Sequence, residues 1–182
     1  MSSLASGREY AKVGRRLAND LAEFAQPVSP PHSDSSADVL SPEDSLLAEY
    51  DRRISDPDLR EATRSRFVST HYADAVEAGV KALNECVRTR TGRPEDGDAL
   101  MTIAFSPNAP LLRINAGRTK SDESEQRGHM HLCQGVVGAW RNPRAHSIVD
   151  DVARRALMML ETIDDLMATT KDATRTRRRK KP

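Results

Sequence analysis

Apolar positions along the chain recur at helical spacing almost throughout. Tyr10, Val13, Leu17, Leu21 and Phe24 are spaced 3, 4, 4 and 3 apart and predict an amphipathic helix over residues 8–25. From Gln26 to Ser41 the pattern stops: Pro27, Pro30, Pro31 and a run of serines form a linker with nothing to pack. Ser41-Pro42-Glu43-Asp44 is a helix start, a Ser cap followed by Pro and acids in the first turn, and Leu46, Leu47, Tyr50 and Ile54 give that helix its apolar face. Asp56-Pro57 restarts the chain in the same way. One long helix, straight or kinked, is predicted from about 58 to 90, with Tyr72, Val76, Val80, Leu83 and Val87 as its buried stripe and Gly92 as its stop.

A short helix over 98–105 carries Leu100, Ile103 and Phe105, and residues 106–121 form an irregular connection through Pro107 and Pro110. A third major helix is predicted over about 122–140, with Met130, Leu132, Val136, Val137 and Trp140 inward. Gly128, Gly135, Gly138 and Ala139 lower its propensity, and such small residues suit the close approach of another backbone. Pro143 should end or kink it. The last helix, about 149–168, turns Val152, Ala156, Leu157, Leu160, Ile163 and Leu166 or Met167 inward. No segment alternates as a strand does. The pattern predicts an all-α helical bundle with an extra N-terminal helix: helix 1–25, linker 26–41, helical domain 42–168 and tail 169–182.

Charge sharpens this picture. The chain is +1 overall, yet residues 171–182 hold seven basic residues and one Asp, a sum of +6 that leaves −5 for the rest. Within that tail Arg175, Arg177, Arg178, Arg179, Lys180 and Lys181 are candidates to bind RNA, or else form only a solvated tail. Such a run is expected to be disordered, and each phosphate it neutralises on a single strand should steepen the log–log salt dependence by about 0.7. Aromatic residues make up only 4%, which argues against a stacking platform for bases. Cys86 and Cys133 are far apart, without metal-site or redox spacing. No apolar run approaches the ~18 residues a membrane span needs, and no secretory leader is visible, so a reduced cytoplasmic protein with no membrane partner is expected.

The chemistry concentrates at Arg141-Asn142-Pro143-Arg144-Ala145-His146, directly after Trp140. Arg neutralises phosphate oxygens in a planar, two-pronged way. His carries protons near neutral pH. Arg141 would hold a scissile phosphate and His146 would serve as general base or acid, or else the two mark a helix end where they satisfy carbonyls and interface carboxylates. Asn142 would bond the phosphate or orient His146, or else be a turn residue before Pro143. Arg144 is either a second phosphate contact or a solvated charge. No cofactor or metal is called for. His129 and His131, two residues apart, have no carboxylate to complete a metal site and are expected to be solvated or interfacial.

Three segments, in order, resemble a HEPN domain of the Ymh-like branch: His71 to Ala78 with Lys81-Ala82-Leu83; Asp96 to Met101 with Ala104-Phe105 and Pro110-Leu111-Leu112; and Gly128 to Leu132, Gly135 to Ala139 and the Arg141–His146 string. The resemblance covers about residues 60–167. It implies a helical bundle that pairs as a homodimer through the helices flanking an Arg, four to six residues, His motif. Arg141 and His146 fit that motif with four residues between, and Asn142 is the polar residue that often follows the Arg. The resemblance further implies a metal-independent endoribonuclease, of the kind found as toxins and in abortive-infection or other antiviral defence. Attack by the RNA's own 2′-OH would leave a 2′,3′-cyclic phosphate and a 5′-OH. Some such domains only bind RNA or a partner, and an antitoxin or sensor protein is a possible partner here. One departure stands out: the Tyr that some nucleotidyltransferase antitoxins modify, two residues past the motif His, is Ile148 here. His71, Asp74 and Lys81 share a polar face and are candidates to line the cleft; alternatively Glu77 and Lys81 are only a surface pair.

Overall fold

In the computed structural model, residues 42–146 and 149–176 are described. The predicted N-terminal helix, the linker and Arg177 to Lys181 lie outside them. The described part is an all-α bundle with a single two-residue strand pair: α1 Pro42–Arg53, α2 Pro57–Val68, α3 Tyr72–Thr91, α4 Gly97–Phe105, β1 Leu112–Arg113, α5 Lys120–Val136, a π-helical turn Val137–Arg141, α6 Asn142–His146, α7 Ala153–Asp172 and β2 Thr174–Arg175.

Asp56 caps α2 as its sequence predicts, accepting from the Asp58 and Leu59 backbone N–H groups at 3.0 and 3.2 Å. The single helix expected over 58–90 is two. The α2 helix ends at Val68, where His71 N–H donates to the Arg66 carbonyl and Thr70 N–H to that of Phe67. This is a Schellman closure, and Thr70 takes the left-handed position at φ 60°. A β-branched residue seldom adopts that conformation, so the Ser69-Thr70 pair gives no stop signal.

The α3 helix is the centre of the bundle, lying against α2 on one side and α7 on the other. Val76, Val80, Leu83 and Val87 of α3 meet Ala156, Leu160 and Ile163 of α7 in a core closed to solvent. The close approach runs over Gly79, where an added Cβ would lie 2.9 Å from Leu160 Cδ2. Around Gly128, Gly135 and Gly138, the glycines expected to meet another backbone, there is open space. Leu132, expected in the core, is 58% exposed, and Val152, expected inward, stands outside as the α7 N-cap at 71%.

Polar groups lock the connections. Asp164 of α7 accepts from Ser55 N–H, the Ser55 hydroxyl and Asp56 N–H at 3.0, 2.7 and 2.8 Å. The Gln126 amide is buried and fully used: Oε1 accepts from Ile114 N–H, and Nε2 donates to the Phe105 and Leu112 carbonyls. The Arg64 guanidinium grips Asp51 through two 2.8 Å bonds with Arg60 beside it, holding that carboxyl down to about 2 from 3.8. A lowered folded-state pKa adds stability above the unfolded value and loses it as pH falls through the folded one. Asp51 is about a third exposed and Arg64 nearly half, so solvent screening limits the pair's worth to at most ~1 kcal/mol. Asp51→Ala is expected to cost that much at neutral pH in urea denaturation, with the gap to the parent closing between pH 3.8 and about 2.

The tail expected to be disordered from 169 on is ordered as far as Thr176. The α7 helix continues to Asp172, then Arg113 pairs with Thr174 and Leu112 with Arg175 in an antiparallel bridge.

Candidate functional site

The Arg141–His146 string sits at a change of helical winding. Pro143 has no N–H and its ring would strike the carbonyl four residues back in a regular α-helix. The chain answers with a π-turn, in which Asn142 N–H reaches back five residues to the Val137 carbonyl, and α6 then carries the motif on to His146. So Pro143 does not end the helix; the chain widens for one turn and continues.

Arg144 fastens this stretch to the body. Its Nε and Nη2 donate to Asp151 Oδ2 at 2.7 and 2.5 Å, and Nη1 donates to the Trp140 carbonyl at 2.7 Å. Both side chains are almost fully buried, at 5% and 2% exposure. Arg144 is thus neither a free phosphate contact nor a solvated charge. It is the cation of a buried pair that ties α6 to the start of α7.

Arg141 points elsewhere. Its Nη1 donates to Asp96 Oδ2 at 2.9 Å, beside the N-terminus of α4. The other Asp96 oxygen accepts from Asn84 Nδ2 at 2.6 Å and Arg88 Nη2 at 3.3 Å. Partial burial works against ionisation of Asp96, but Arg141, the Gly97 backbone and Arg88 outweigh it, and the carboxyl titrates below its ordinary value. Asn84 is 3% exposed, and its Oδ1 has no partner among the described residues. These groups line a cleft of about 550 Å³ between α2 and α3 that also takes in Arg66, Lys81 and Glu85.

His146 and Asn142 are exposed, and neither lines that cleft. Among the described residues no hydrogen bond links His146 to Arg141, whose Nη1 is held by Asp96. His71 is the exposed residue preceding α3, Asp74 is exposed too, and Lys81 pairs with Glu77 at 2.7 Å. Of those three only Lys81 lines the cleft.

His129, expected to be solvated or interfacial, is buried within the chain, edge-on against Phe105 at 4.7 Å between ring centroids. Burial pushes its imidazole below the ordinary value, with Asp165 and Glu125 pulling weakly the other way. Burial likewise raises the thiols, Cys86 to about 11 and Cys133 to about 12, so neither is an activated nucleophile. Among the described residues, no three His, Cys, Asp or Glu side chains gather as a metal-binding group, and no helix is long and apolar enough to cross a membrane.

Arg175, expected in a free basic tail, donates from Nη2 to the Thr91 carbonyl at 3.1 Å and closes the C-terminal end of α3. Asp96 and Asp151 carry the geometry, and their spacing from Arg141 and Arg144 gave no sign of it. The Asp96-Gly97 step was visible only as part of a resembling segment.

Residues 53–169 match the model of a family described as "Protein of unknown function (Hypoth_ymh)". The chain belongs to the Hypoth_ymh family. The match runs from the end of α1 to the last turn of α7, so the family's span contains Asn84, Asp96, Arg141, Arg144, His146 and Asp151 and excludes β2. No curated protein and no solved structure matches the chain.

Proposed function

We propose that this Hypoth_ymh protein is a metal-independent endoribonuclease of the HEPN type, an effector of the toxin or antiviral-defence class. The observation that carries the reading is Arg141, its guanidinium at the rim of a cation-lined cleft, followed five residues later by an exposed histidine. Arg141 holds the scissile phosphate and stabilises the charge that develops on it. His146 takes the proton of the 2′-OH as that oxygen attacks phosphorus, and the 5′-oxygen leaves with a proton. One imidazole cannot conveniently serve both sides of the phosphorus, so two protomers around a two-fold axis supply two sets. Support for such pairing lies on α5, where Gly128, Leu132 and Gly135 share one outward face and an added Cβ at either glycine meets nothing within 4 Å.

The test is cleavage of single-stranded RNA by the purified full chain in EDTA, with the product ends identified. The expected result is 2′,3′-cyclic phosphate and 5′-OH ends, unaffected by the chelator. Cleavage that EDTA abolishes overturns the mechanism. A second reading, a domain that binds RNA or a partner without cutting, is favoured by one observation, the Asp96 carboxylate already seated on Arg141. Binding with no turnover would establish it.

A further inference from the structure

The cleft beside Arg141 carries more positive charge than the chain itself satisfies. Arg66, Lys81, Arg88 and Arg141 line it against two carboxylates, Glu85 and Asp96. Arg88 is divided between both carboxylates. Lys81 leans on Glu77 from outside. Arg66, on the last turn of α2, has no carboxylate partner among the described residues, and its Nη1 donates only to the Ala62 carbonyl at 2.7 Å. A single carboxylate, Asp96, therefore serves Arg141, Arg88 and the buried Asn84 amide at once, while a fourth cation waits at the rim.

We propose that this cleft is a nucleotide-phosphate site in which the Asp96 carboxylate holds the place of the ligand's phosphate. It rests on the reading of Arg141 as a phosphate-holding residue. An incoming phosphate displaces Asp96 from Arg141 and recruits Arg66 as a further partner. The exchange swaps one anion for another, so the Arg141 guanidinium is never left unpaired. Asp96 is about half exposed, so its Oδ2 gives up Arg141 to water at little cost while Oδ1 keeps the buried Asn84 amide. Phosphate also offers the guanidinium fork two oxygens with others to spare, which a carboxylate cannot.

The test uses the full chain carrying His146→Ala, so that RNA is not consumed, and a labelled single-stranded RNA with AMP as competitor. Removing the resident anion by Asp96→Asn is expected to tighten RNA binding about three- to tenfold. Loss of a merely structural contact would not do that. Arg66→Ala is expected to weaken binding by a similar factor and to flatten the log–log salt slope by about 0.7. Asp96→Ser is the second variant, because Ser, like Asn, remains a good residue at this helix-capping position. Displacement of the RNA by AMP would show that a free nucleotide suffices; resistance to AMP, with the two variants behaving as expected, would show that the phosphodiester chain is the ligand. Binding that is weaker or unchanged in both Asp96 variants, or unchanged in Arg66→Ala, overturns the proposal. That outcome leaves the ribonuclease reading standing, since cleavage by the parent chain is scored separately.

Discussion

Asp151→Ala is expected to lower the stability of the fold by about 3–5 kcal/mol, the usual cost of stranding one member of a buried ion pair. The pair sits where water cannot compensate: the Arg144 side chain is 5% exposed and that of Asp151 2%. Both the Arg144 Nε and Nη2 donors use the same carboxylate oxygen, so truncation strands two N–H groups and a full charge together. Chemical denaturation reads the loss directly, and for a chain of this size the melting temperature should fall by roughly 10 °C. The double replacement Arg144→Met with Asp151→Leu is expected to recover most of that loss, because a packed apolar pair of similar volume avoids the desolvation of both charges. A single variant as stable as the parent would mean that the pair is open to water in solution. The same clamp bears on chemistry, since Arg144 also holds the Trp140 carbonyl and so braces the π-turn that presents Arg141.

The period of the apolar residues was a sound guide wherever a helix is flanked on both sides. Val76, Val80, Leu83 and Val87 were expected inward and are closed to solvent, as are Leu160 and Ile163. Periodicity gives a stripe but not its partner, and it misleads where a helix has an open side. Leu132 continues the pattern of α5 yet faces out, and the glycines around it lack the neighbour their size suits. The break between α2 and α3 escaped because Thr70 occupies a position that glycine usually announces. Arg141 and His146 were legible as a local pair of suitable chemistry. What surrounds them was not, because each decisive partner is distant in sequence or carries no spacing signal. Asp96 lies 45 residues before Arg141, and Asp151, seven residues after Arg144, reaches it only once the chain has turned into α7. Charge density was equally ambiguous: Arg175 looked like part of a free basic run, yet the two-residue strand pairing of β1 with β2 draws it onto the end of α3.

On the ribonuclease reading, His146→Gln is expected to reduce RNA cleavage by about 10²–10⁴-fold, the range a positioned general acid or base supplies. Glutamine keeps hydrogen-bonding capacity and comparable size but does not exchange a proton near neutral pH. The side chain is exposed on α6, so stability should stay within about 0.5 kcal/mol of the parent, separating chemistry from folding. Arg141→Lys tests the other half. It keeps the charge and removes the planar fork, and cleavage should fall far more than a conservative exchange would suggest. Mixing the parent with inactive His146→Gln chains then asks how the site is assembled. If one cleft needs the imidazoles of both protomers, mixed dimers are inactive and cleavage falls as the square of the parent fraction. If each protomer holds a whole site, cleavage falls only in proportion to that fraction. Undiminished cleavage by His146→Gln alone would remove this histidine from the mechanism. The exposed imidazole would then be a surface residue, and Arg141 would keep only its part in binding.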